Sequence, residues 1–144
     1  MEAIKRLVET RDLKLNRLAQ IAQGRVVPAH FRYSRDVDMV LFLLVPPETE
    51  TVAHYIDDHV ALLYEPGSRE VVGVQVEAFE FSFVREHGGV RKVWQLSDAC
   101  KELSDFGDLL IKVEDWEPVV AKEVVMVADS ILGGRVLEEA PLPA

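Results

Sequence analysis

His54, Asp57, Asp58 and His59 put two imidazoles and two carboxylates within six residues, inside the stretch HYIDDHVALLYEPGSREVVGVQVE. Imidazole and carboxylate ligands together suit zinc, manganese or iron. The same residues suit a tight turn between two strands, because aspartate tolerates left-handed backbone and bonds its own main chain. If Asp57-Asp58 is a two-residue turn, Ile56 and His59 are cross-strand partners on one face, and His54 shares that face. The two imidazoles are then diagonal neighbours, within ~7–8 Å at Cα. An ion would need a third ligand there, and Ala61 and Leu63, which follow on the same face, offer none. A turn is therefore the expected role. His54, Asp58 and His59 stand as the metal candidates, and no cofactor is expected.

The remaining reactive side chains are scattered. His30 and His87 belong to no spaced ligand motif such as HExxH. His87, in REHGG, fits a helix end, where a cation is favourable. Cys100, in DACKEL, reads as a small buried hydrophobe, with a nucleophile served by His87 or His54 as the alternative. EPGSREVVG lacks the spaced glycines and the lysine of a phosphate loop. Asp105, Asp108, Glu114, Asp115 and Glu117 read as a solvated acidic face. No catalytic residue is expected.

The elements that must position these groups follow from periodicity. Ile4, Val8, Leu15, Leu18 and Ala22 are spaced for a helix over 1–25. Arg11 interrupts it, Thr10 or Asp12 can cap a second start, and Gly24 stops it. Val37 to Val45 is apolar on both parities after Asp38, which fits a central strand covered on both faces, with a short buried helix as the alternative. Pro46-Pro47 ends it. Glu50 to Ile56, Val60 to Tyr64 and Glu70 to Glu77 read as further strands, the last two joined by a Glu65-Pro66-Gly67-Ser68 turn. Phe79, Phe81 and Phe83 either continue the strand at period two or belong to a short helix ending at Gly88-Gly89 with Ala78, Phe79, Ser82 and Phe83 as one face, the helix being favoured. In both readings all three rings are expected in the core, since exposing them would leave an apolar patch. Ser97 caps an expected helix over 98–106. Residues 114–134 carry the clearest helix, with Val120, Val124, Val127 and Ile131 at four-three-four spacing and Gly133-Gly134 as its stop.

The chain of 144 residues is 49% hydrophobic and 28% charged, ordinary values for a globular domain. Its length suits one domain with its own core. The net charge of −9 disfavours nucleic acid as a partner. Residues 1 to 25 nevertheless hold six basic and three acidic side chains, so the remainder carries more than the whole net charge. Met1 to Gln23 has no continuous apolar run, so no secretory leader is read there. The longest apolar run, Met39 to Pro47, is too short to cross a membrane. One cysteine rules out an internal disulfide and suits a reducing compartment, so the expected location is cytoplasmic.

The stretch DVDMVLFLL followed by YIDDHVALLYEPGSREVVGVQVEAF resembles the short bacterial proteins grouped as domain of unknown function 2283. Asp57, Asp58, Tyr64, Val72, Gly73 and Val74 match that pattern. His59 stands where glycine is usual, Leu63 where aspartate is common, and Gln75 where glutamate is common. The resemblance spans residues 36–80. It implies a small antiparallel meander with a helix packed on it, and no established activity. The setting of short members implies an antitoxin-like role as one alternative.

The resulting expectation is an α+β domain over 1–134, with a β-meander region at 30–94, a helical region at 95–134 and a loose tail at 135–144. A meander with two apolar faces needs cover on both. The N-terminal helix can supply that cover within the chain or across a dimer, through Leu7, Val8, Leu15 and Leu18 together with Val124, Val127 and Ile131. The expected function is a non-catalytic, self-associating protein-interaction module. A metal-dependent enzyme or small-molecule-binding protein using His54 and His59 is the alternative.

Overall fold

The computed structural model describes residues 8–92, 94 and 116–138. Strands β1 (His30–Ser34), β2 (Met39–Leu43), β3 (Val52–Tyr55), β4 (Val60–Tyr64) and β5 (Val71–Val76) form one antiparallel sheet. Their order is β1-β2-β5-β4-β3. A β1–β2 hairpin is thus joined to a β3–β4–β5 meander by pairing of β2 with β5. Helix α1 is Asn16–Ala22, α2 is Val84–Glu86, α3 is Trp116–Ile131 and α4 is Arg135–Glu138. The expected α+β architecture, an antiparallel sheet with N-terminal and C-terminal helices, is what the chain forms.

Register explains why the inner strands are apolar. Val40, Val76 and Val60 lie in one row across β2, β5 and β4, and Phe42, Val74 and Leu62 in the next. Cross-strand partners share a face, and all six belong to the main core together with α1 and α3. Leu15, Leu18, Val120 and Val124 are fully buried there. The other row, Leu43, Gly73 and Leu63, is closed by a glycine. A Cβ at Gly73 would collide with the Phe42 carbonyl oxygen and lie 2.7 Å from a Leu43 methyl. Neighbouring strands can therefore keep large leucines only because Gly73 has no side chain.

The expected N-terminal helix is divided. A 3-10 turn at Thr10–Asp12 is held by Glu9 and Asp12 capping one another, and α1 begins only at Asn16. Between them Lys14 bonds the backbone on either side of Glu70, its N–H donating to the Arg69 carbonyl and its carbonyl accepting from Val71. A continuous helix cannot make that strand-like contact. Gly24, at φ 72, ends α1 as expected.

Several further expectations change. The short helix expected to end at Gly88-Gly89 ends at Glu86, with His87 as its C-cap as expected, and residues 88–92 are themselves helical. Residues 135–138 are no loose tail: they form α4, with Val136 fully buried. Buried Asp129 accepts the Leu137 N–H at 3.0 Å, and the Arg135 guanidinium donates to the Thr10 and Leu13 carbonyls, both at 2.7 Å. Leu15, Leu18 and Val124 are covered inside a single chain and present no surface to a second copy. Val8, Val127 and Ile131 are half-buried against the same core. Leu7, the helix expected at 98–106 and residues 139–144 lie outside the described residues.

Candidate functional site

The β3–β4 connection is longer by one residue than the expected two-residue turn. The Ile56 N–H donates to the Val60 carbonyl at 2.9 Å, and Tyr55 faces Ala61. Asp57, Asp58 and His59 therefore form the loop. That one-residue change moves His59 out of the strand and reverses its relation to His54. His54 pairs with Leu62, and its Nε2 lies 2.8 Å from the Thr10 hydroxyl. The His59 carbonyl instead accepts from the Glu77 N–H at 2.7 Å, and its side chain lines a cleft with Glu77. Asp57 accepts the His59 N–H at 3.3 Å, an aspartate turn. The convergence of His54 and His59 that the metal alternative needs is not made.

The four histidines occupy four settings. His30 lines a hollow of about 200 Å³ with Arg32, Leu41 and Pro47. His87 packs 4.4 Å from the Phe83 ring. Among the described residues no three histidine, cysteine or acidic side chains gather as a metal site. Cys100 and the acidic run from Asp105 to Asp115 lie outside the described residues.

The densest polar chemistry lies at the same end of the sheet, at a residue with no motif around it. Asp38, in left-handed backbone at φ 52, closes the β1–β2 hairpin. Its carboxylate accepts the Glu80 N–H at 2.8 Å, the Phe81 N–H at 3.0 Å and the Tyr33 hydroxyl at 2.8 Å. Its carbonyl accepts the Phe79 N–H at 2.9 Å. Helix starts leave unpaired N–H groups, and here Ala78, which precedes the turn, has no side-chain oxygen. Asp38 supplies the cap from 42 residues away. Burial works to raise the Asp38 pKa, but the two amides and the Tyr33 hydroxyl outweigh it and hold the carboxyl below its ordinary value. Tyr33 is pushed well up, first by burial and then by Asp38 and Glu80. Glu80 also accepts the Trp94 indole N–H at 2.6 Å.

Capped in this way, residues Phe79–Phe83 form a π turn, with Val84 N–H bonding the Phe79 carbonyl. The wide turn stacks Phe79 on Phe83 at 5.7 Å, and Trp94 meets Phe79 edge-on at 4.9 Å. Phe81 is left on the outside at 65% exposure, which corrects the expectation that all three rings are core. Val37, at the hairpin tip, is 62% exposed. Phe81, Val37 and Met39 line an open cleft of about 640 Å³ with Asp38, His59, Glu77 and Ala78. The Arg85 guanidinium lies 5.5 Å from the Phe81 ring centre.

Sequence reasoning missed Asp38 because its partners are remote. It had a signal for Phe81. The helical face Ala78, Phe79, Ser82 and Phe83 omits position 81, so the spacing already turned that ring outward. The arrangement can do two things chemically: bury an apolar group against Phe81, Val37 and Met39, and place a cation beside Glu77. No family model, no curated protein and no solved structure matches the chain.

Proposed function

We propose that this chain is a non-catalytic, intracellular protein-interaction module whose docking surface is the cleft of Val37, Met39 and Phe81. The observation that carries the reading is Phe81, an aromatic ring held outward by a capped and packed turn. Single exposed apolar residues need no explanation, whereas contiguous ones on a rigid support mark association surfaces. The neighbouring polar groups support the reading too, because Asp38, Tyr33 and Glu80 are spent on holding backbone and one another. An antitoxin-like partner protein is one form this reading takes. The intracellular placement rests on the lone cysteine, and no helix among the described residues is long and apolar enough to cross a membrane.

A photo-crosslinking phenylalanine analogue at position 81, introduced in the producing cells, tests it. The expected result is a discrete crosslinked species that disappears with Val37→Asp and is absent when the probe replaces exposed Lys122. Phe81→Ser should keep the thermal midpoint, since a docking ring contributes little to the fold. No crosslink at position 81, or collapse of the midpoint, removes the reading.

Self-association is the second reading, favoured by an apolar stripe on α3. Val119 is 46% and Met126 37% exposed, with half-buried Val127 and Ile131 alongside. Light scattering should then give twice the chain mass, falling to one chain in Val127→Asp with helix content kept. A wild-type mass of one chain excludes a dimer. The metal-enzyme alternative has less support, because the register sets His54 beside Thr10 and His59 beside Glu77.

A further inference from the structure

We infer that the occupant of the Val37–Phe81 cleft is a short cationic segment of another protein, carrying an apolar side chain next to lysine or arginine. The inference rests on the interaction reading above and adds the chemistry of the partner. Apolar surface in the cleft is flanked by charge of mostly one sign. Asp36 is exposed beside Val37, Asp57 and Asp58 are exposed beside His59, and Glu77 lines the cleft itself. Against them stand Arg35 at the hairpin tip and Arg85, whose guanidinium is already placed over the Phe81 ring.

Complementarity then selects the occupant. An apolar side chain fills the gap between Phe81 and Met39, where burial of a ring gives most of the binding. A lysine or arginine beside it meets Glu77 and the Asp57-Asp58 turn, which speeds encounter and rejects acidic competitors. A second copy of this chain fits poorly: it carries a net charge of −9, and pairing two such ends brings like carboxylates together. A nucleic acid is rejected by the same carboxylates.

The test is selection of a random twelve-residue peptide library displayed on phage against the purified full chain, with counter-selection on Phe81→Ser. The expected outcome is enrichment of peptides with an aliphatic or aromatic residue within two positions of lysine or arginine. Synthetic versions should bind at least ~10-fold more weakly to Phe81→Ser, the loss typical of a truncated anchor. They should bind about 3-fold more weakly to Glu77→Gln and to Asp57→Asn with Asp58→Asn, as solvent-exposed ion pairs allow. Raising salt from about 50 to about 500 mM should weaken binding in the wild type more than in the charge variants. Enrichment of neutral or acidic peptides, no enrichment at all, or affinity unchanged in Phe81→Ser overturns the inference. A crosslink at position 81 in cells alongside any of these results leaves the interaction module standing and removes only the cationic partner.

Discussion

Two acidic turns lie near each other at one end of the sheet and use their carboxylates differently. Asp57 bonds the N–H of a residue two positions on. Asp38 bonds amides and a hydroxyl from two other segments, and thereby fixes a hairpin, a π turn and an aromatic cluster relative to one another. In the fold, the Asp57 bond holds only the shape of its own turn. The second turn is a joint. Residue types that suggest chemistry crowd the first, while the second supports the surface on which recognition is proposed.

Removing the two carboxylates separates the roles most sharply. Asp38→Ala should cost about 3 kcal/mol in urea unfolding, because it leaves the Glu80 and Phe81 amides without their acceptor and takes from the half-buried Tyr33 hydroxyl one of its two acceptors, the other being Glu80. It should also lower crosslinking at position 81 by loosening the π turn. A loss as small as that of an ordinary surface change would show that Asp38 is no joint.

Tyr33→Phe comes next, at about 1–1.5 kcal/mol for the lost hydroxyl bonds. The pH dependence gives the same corner a second signature. The Asp38 carboxyl titrates below its unfolded value near 3.8, so its contribution is present above that pH and is lost as pH falls through the folded value. Tyr33 titrates above its unfolded value of 10.0, so its contribution is present below pH 10 and erodes as pH rises beyond it. Tyr55, held by the Glu77 carboxylate, adds in the same direction. Urea midpoints measured across pH should therefore show a shallower acid limb in Asp38→Ala and a shallower alkaline limb in Tyr33→Phe. Unchanged limbs would contradict the hydrogen bonding described.

Ala78→Gly should raise stability by about 0.5–1 kcal/mol, since alanine is held at φ 48 where glycine carries no Cβ penalty. A lower urea midpoint would mean that the methyl group packs usefully. The smallest effect belongs to the other turn: Asp57→Ala should stay within about 0.5 kcal/mol, as exposed positions do. A loss approaching that of Asp38→Ala would erase the distinction between the two.

The same contrast explains what could be read in advance. Periodicity found β2, β4, β5 and α3, because each buries a face whose spacing is written in a few consecutive residues. Gly24 and Gly133-Gly134 marked helix ends for an equally local reason, a positive φ. Strand β1 was not read, because the alternation of His30, Arg32 and Ser34 with Phe31 and Tyr33, though that of a half-buried edge strand, offers only two apolar residues in five. The turn at Asp57-Asp58 was found, but its length was short by one residue, and one residue suffices to part His54 from His59. The site itself rests on pairs such as Asp38 with Glu80 and Tyr33 with Glu80, which no window of neighbouring residues contains.

Arg135 has a consequence for how the protein comes into being. Its guanidinium holds the carbonyls of Thr10 and Leu13, more than 120 residues earlier in the chain. During synthesis the 3-10 turn at Thr10–Asp12 thus waits until residue 135 has left the ribosome before this clasp can close. Until then Leu13 and its neighbours depend on whatever shelter the nascent sheet provides, and a truncated translation product ending before residue 135 would never acquire that closure.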